Sequence, residues 1–129
     1  MNLRILFIED SANDVELMIR RLREAGIEPL WERVESAQEL RAALAGERWQ
    51  VALVDYNLPG FSGPEALAVL AAVAPDVPAI TVSGAITEET AVATIAAFAV
   101  DYVLKDNLTR LAPAVRRPPR RAARQAPGA

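Results

Sequence analysis

The chain contains no cysteine and no histidine. The first absence rules out disulfides, thiolate nucleophiles and cysteine-ligated zinc. The second removes a histidine general base, a Ser-His-Asp triad and imidazole metal ligands. No apolar run approaches the roughly 18 residues that a membrane-spanning helix needs. The N-terminus lacks the layout of a signal peptide, because Arg4 and Ile5 lead within a few residues to the acidic pair Glu9 and Asp10. The expectation is a cytoplasmic protein without a membrane span. Any chemistry must come from carboxylates, hydroxyls, lysine, arginine and a hard metal ion.

At 129 residues, 52% hydrophobic and 24% charged, the composition suits one globular domain with a solvated surface. The net charge is −3, but it is unevenly placed. No acid occurs after residue 115, where Arg116, Arg117, Arg120, Arg121 and Arg124 cluster. Pro118 and Pro119 cannot continue a helix. The expected division is a folded domain over 1–117 and a disordered basic tail, or the start of a linker, over 118–129. Such a tail could meet the phosphates of nucleic acid or membrane; a solvated terminus is the simpler reading.

Apolar runs and amphipathic segments alternate along the chain. "RILFI" (4–8) precedes a helical pattern with Val15, Met18, Ile19 and Leu22 on one face, closed by Gly26. "PLWERV" is a weaker strand. The next helix opens with Ser36 and Glu39 at capping-box spacing and ends at Gly46. "VALVD" (51–55) is followed by a helix with Pro64 as its first residue. "AITVSG" (79–84) leads to a helix whose first turn holds Glu88 and Glu89. "DYVLK" (101–105) is the fifth strand, and "LTRLAPAVRR" a last helix that Pro113 is expected to kink. Five β-α repeats with near-continuously apolar strands predict an α/β fold, a doubly wound five-stranded parallel sheet with helices on both faces.

In such sheets, ligands bind beyond the carboxyl ends of the strands. Glu9 and Asp10 follow strand 1, Asp55 ends strand 3, Ser83 ends strand 4 and Lys105 ends strand 5. Converging carboxylates repel, and a shared cation relieves them. All-oxygen ligation favours Mg²⁺, or Mn²⁺ as a similar hard ion. A carboxylate, a metal, an ammonium and a hydroxyl around one point suit phosphoryl transfer, with Asp55 as nucleophile.

Four motifs carry a resemblance: "ED" at 9–10, "VDYNLPGFSG" around Asp55, "TVSG" around Ser83 and "DYVLK" ending at Lys105. Together, in order, they resemble the response-regulator receiver domain of two-component signalling, with its CheY-like, flavodoxin-like (βα)5 fold, over residues 3 to about 117. The resemblance implies a signalling receiver rather than an enzyme acting on other substrates. Asp55 would take phosphate from the phosphohistidine of a sensor kinase or phosphotransfer protein. Glu9, Asp10 and Asp55 would hold Mg²⁺, with the backbone carbonyl of Asn57 as a further ligand. Lys105 and Ser83 would bind the phosphoryl group, and Ser83 with Tyr102 would form the switch. A homodimer or downstream protein would use the face of the fourth helix, fifth strand and fifth helix. "YVLKDNL" also resembles receivers placed at the front of larger signalling proteins.

Two positions depart from that pattern. Asp106 stands where receivers usually have a proline in a cis bond, and Phe98 where they usually have a helix-closing glycine. Phe98 is expected either to extend the inward stripe of Ala91, Val92 and Ile95 or to form an aromatic anchor on the output face. Other readings fit less well. A haloacid-dehalogenase-type phosphohydrolase would need an acid where Asn57 stands. A nucleotide binder would need glycines after strand 1, and "EDSANDVE" has none. The alternative to a phosphoacceptor is a degenerate receiver, an interaction module that is not phosphorylated. Individually, Asp10 could cap the first helix, Asp55 form a turn and Lys105 end a strand in solvent. No DNA-binding domain is expected within the chain.

Overall fold

The computed structural model describes residues 1–84 and 99–116. The helix expected after Ser83, with Phe98 and the inward stripe before it, lies outside the described residues, as does the tail over 118–129. Strands β1 (Asn2–Ile8), β2 (Glu28–Val34), β3 (Val51–Asp55), β4 (Ala79–Ser83) and β5 (Ala99–Leu104) form one sheet in the order β2-β1-β3-β4-β5, and every pairing is parallel. Helices α1 (Ala12–Glu24), α2 (Ala37–Gly46) and α3 (Gly63–Val73) alternate with the strands. A 3-10 turn, Leu108–Arg110, runs into the C-terminal helix α4, Leu111–Arg116. Among the described residues, no helix is long and apolar enough to cross a membrane.

Strand alternation sorts the core into two layers. Ile5 and Phe7 of β1 pack with Val15, Met18, Ile19 and Leu22 of α1 and with Leu111 and Val115 of α4. Leu6 and Ile8 face the opposite way, into a cluster with Leu40 of α2 and Ala66, Leu67 and Leu70 of α3. The sheet is thus covered on both sides, which is why its central strands read as unbroken apolar runs. All five residues of β3 and of β4 are buried.

The helix starts follow from local chemistry. Ser11, not Asp10, caps α1: its hydroxyl accepts the Asp14 N–H at 3.2 Å. Ser36 caps α2 by accepting the Glu39 N–H, but the expected reciprocal box is not made, because the Glu39 carboxylate accepts the Glu35 N–H instead. The complete capping box belongs to α3, between Ser62 and Glu65. That helix starts at Gly63, one residue before Pro64. Pro113 does not break the last helix. It falls in the first turn of α4, where backbone N–H groups lack intrahelical partners in any case.

Gly63 is fixed by close approach. A Cβ there would lie 2.7 Å from the Tyr56 Cα and 2.9 Å from its carbonyl oxygen, which already accepts the Gly63 N–H. Backbone cannot yield as a flexible side chain can. Gly63→Ala is therefore expected to destabilise the fold by about 1–3 kcal/mol, in the range of overpacking effects. Thermal unfolding checks this; an unchanged melting temperature would mean that the turn after β3 gives way freely.

Candidate phosphoacceptor site

The strand order reverses between β1 and β3: the chain leaves β1 toward β2 on one side and later builds β3, β4 and β5 on the other. This is the switch point at which open α/β sheets form a crevice at their carboxyl ends. Glu9 and Asp10 follow β1 here, and Asp55 ends β3. One carboxylate oxygen from each lies within 4.8 Å of the others. Glu9 and Asp55 are buried, while Asp10 is exposed.

Lys105 enters this cluster from the turn directly after β5, which spans Ala99–Leu104 rather than ending on the lysine. Its backbone N–H is held by the Ser83 carbonyl at 2.8 Å. There is no cis peptide bond among the described residues, so Asp106 follows through a trans bond. The lysine still reaches the site. Its Nζ lies 2.7 Å from Glu9 Oε1, 2.7 Å from Asp14 Oδ2 and 3.4 Å from Asp55 Oδ2. The approach to Glu9 is at ion-pair distance but out of line for a hydrogen bond, so Oε1 has no hydrogen-bond partner despite its burial.

The remaining contacts orient the acids. Ser11 N–H donates to Glu9 Oε2, and Asn57 N–H donates to Asp55 Oδ1. The Asn57 amide Nδ2 donates to the Ser83 hydroxyl at 3.0 Å, which joins the ends of β3 and β4. Arg33, on β2, reaches across to the backbone carbonyls of Glu9 and Asp10 while pairing with Glu35. Tyr102 is half-buried. Arg110 lies over its ring, 5.8 Å from the centroid, and donates to its carbonyl.

Electrostatics follow from this packing. Burial pushes the Glu9 carboxyl up to about 7 from 4.5, against the opposing pull of Lys105 and the Ser11 N–H; the Asp55 charge adds to the rise. Burial disfavours the Lys105 ammonium, but its hydrogen bond to Asp14, its close contact with Glu9 and the negative charges of Glu9 and Asp55 outweigh it and hold the lysine above its usual range. The site thus has a buried acid reluctant to ionise beside a firmly charged lysine. A hard divalent ion fits this donor set. Three carboxylate oxygens converge, one is buried without a hydrogen bond, and neither nitrogen nor sulfur ligands compete.

The sequence placed Glu9, Asp10, Asp55, Ser83 and Lys105 at one sheet edge, and the fold brings all five there. It did not single out Asp14 or Arg33. Asp14 was hidden because an acid in a first helical turn is explained by the helix dipole alone. The only available signal was its position in the helix turn that directly follows the acidic pair.

Residues 5–116 match the family model described as the response regulator receiver domain. The chain belongs to the response-regulator receiver family. A protein-glutamate methylesterase/protein-glutamine glutaminase 2 of Caulobacter vibrioides is 36% identical to this receiver over 112 residues. That match covers 84% of this chain but 32% of the relative. Among solved structures, a CheY-like response regulator receiver domain protein of Methanospirillum hungatei is 27% identical, with a TM-score of 0.74, covering 90% of this chain and 92% of its own. A Burkholderia pseudomallei response regulator solved with a phosphorylated aspartic acid, calcium ion and citrate shares the receiver fold at a TM-score of 0.75. It is 22% identical and covers 98% of this chain and 73% of its own. The family works in two-component signal transduction.

Proposed function

We propose that this receiver is a phosphoacceptor in which Asp55 takes a phosphoryl group from the phosphohistidine of a sensor kinase or phosphotransfer protein. The observation that carries this is the convergence of Asp55, the Glu9–Asp10 pair and Lys105 at the β1–β3 switch point. The Asp55 oxygen nearer Lys105 attacks phosphorus. A P–O bond forms to Asp55, the bond from phosphorus to the donor nitrogen breaks, and the donor imidazole keeps the electron pair. From a small acyl phosphate, the leaving group is the carboxylate. Asn57 N–H holds the other Asp55 oxygen and so fixes the carboxylate's angle.

Glu9, Asp10 and Asp55, with the Asn57 carbonyl, would hold Mg²⁺ or Mn²⁺. When bound, that ion neutralises charge on the transferring phosphoryl group. Lys105 supplies a fixed positive charge beside the acceptor. Ser83, whose oxygen accepts the Asn57 amide N–H, donates its own O–H to a phosphoryl oxygen. Tyr102 then turns toward the space beside Ser83, and the face that includes β5 and α4 carries the change to a partner or second copy. A loss of phosphorylation-linked change around the Tyr102 ring in Ser83→Ala would support this order; an undiminished change would exclude it. Residues 1–117 form the receiver, and 118–129 a basic tail or the start of a linker. All acidic and basic groups of a working site are present, which favours this reading over a degenerate interaction module.

Intact mass after exposure to acetyl phosphate tests the proposal. One added phosphate, dependent on Mg²⁺ and absent in Asp55→Asn, is expected. Equal labelling of Asp55→Asn removes the assignment, and no labelling of the wild type with Mg²⁺ leaves the degenerate receiver.

A further inference from the structure

Asp14 has no part in the roles assigned above, yet it makes one of the two shortest contacts to the site's only lysine. We propose that Asp14 is the resting partner of Lys105 and competes with Asp55 for its ammonium. This inference rests on the phosphoacceptor reading of Asp55. At rest, Nζ lies 2.7 Å from Asp14 Oδ2, in hydrogen-bonding geometry, but 3.4 Å from Asp55 Oδ2. The acceptor thus holds the weakest share of the lysine.

The backbone that carries the competing carboxylate is anchored. The Asp14 N–H is bonded to the Ser11 hydroxyl, and the Ser11 N–H is bonded to Glu9 Oε2. Glu9, Ser11, Asp14 and Lys105 therefore close a ring of contacts around the mouth of the site. Asp14 sits in the first turn of α1, whose inner face is packed into the core through Val15 and Met18. Its backbone cannot follow the lysine. For Lys105 to move onto an incoming phosphoryl oxygen, its bond to Asp14 must lengthen. An interaction stronger in the ground state than in the transition state slows the step it precedes. Asp14 is a positioning residue in this sense: it sets how readily Lys105 is released to the phosphoryl group. The Asp14 side chain is about one-third exposed at 35%, so water screens the contact and the effect is moderate.

Phosphorylation by acetyl phosphate with saturating Mg²⁺, followed over a range of donor concentrations, tests the proposal. Asp14→Ala is expected to raise the maximal rate about fivefold, the scale of one partly exposed ion pair, with the half-saturating donor concentration unchanged. Asp14→Glu is expected to return the rate toward wild type, and the gain should vanish in a Lys105→Met background. An unchanged or lower maximal rate overturns the proposal. So does a gain confined to half-saturation, which would mark general repulsion of an anionic donor, or the same gain without Lys105. A wild type that takes no phosphate overturns the reading of Asp55 and this inference together. A labelled wild type with an unaltered Asp14→Ala rate overturns this inference alone.

Discussion

Lys105→Met should destabilise the metal-free protein at pH 7.5 by about 2–4 kcal/mol, the cost of leaving buried charges without their partner. Lys105 is the cation shared by Glu9, Asp14 and Asp55, and the Glu9 and Asp55 side chains are only 2% and 7% exposed. Their charges cannot turn to water. The variant has one remedy in the absence of metal, which is to protonate Glu9. Its deficit should therefore shrink on moving from pH 7.5 to pH 5. Millimolar Mg²⁺ should also recover more stability in the variant than in the wild type, because the ion replaces the missing positive charge. Chemical denaturation at the two pH values, with and without Mg²⁺, measures all of this. A variant within about 0.5 kcal/mol of wild type at pH 7.5 without metal would show that the acids do not depend on the lysine.

The second large effect is a loss of stability with rising pH that belongs to Glu9. Its carboxyl titrates near 7 in the fold, against 4.5 for an ordinary glutamate. Between those values the folded protein keeps a proton that the unfolded chain has released. Stability from this group is thus fully present below pH 4.5 and is lost as pH rises through 7. The swing is on the order of 3 kcal/mol, given the usual conversion of such shifts into free energy. Glu9→Gln keeps the shape but cannot ionise. It should be more stable than wild type at pH 7.5 without metal and should lack this part of the pH dependence. Because other carboxylates titrate in both proteins, the difference between the two curves is the quantity to measure. With Mg²⁺ the order should reverse at neutral pH, since only the carboxylate can serve as a ligand. Parallel curves across pH 4.5 to 7 would mean that Glu9 is ordinarily ionised in the fold.

Both effects depend on which member of the acidic pair is inside. Glu9 and Asp10 are adjacent and equally acidic on paper, yet one is buried and the other exposed. The Glu9 N–H is bonded to the Val34 carbonyl, which continues the β1–β2 ladder by one residue and turns the glutamate inward. Asp10 lies beyond that last bond, at the entry to α1. Removing Asp10 should consequently relieve less repulsion than removing Glu9.

The sequence by itself determined the five parallel strands and the helices that follow the first, second, third and fifth of them, because buried parallel strands leave unbroken apolar runs and amphipathic helices leave a stripe such as Val15, Met18, Ile19 and Leu22. It also determined that Glu9, Asp10, Asp55, Ser83 and Lys105 share one sheet edge, since in a parallel sheet every strand ends on the same side. Only the tertiary structure decided distances between groups far apart in the chain. Lys105 lies 91 residues from Asp14 and 50 from Asp55, and no local pattern encodes that it rests nearer the first. The caps divide in the same way. Any of several polar residues could start α1 or complete a box on α2, and the choice of Ser11, and of the Glu35 N–H for Glu39, depends on which backbone groups the entering chain presents. The close approach of Gly63 to Tyr56 was equally hidden, because a glycine marks where a side chain would not fit without saying what occupies the space. Periodicity is a property of neighbours along the chain. The site's energetics arise from burial and from charges that meet only when the sheet has closed.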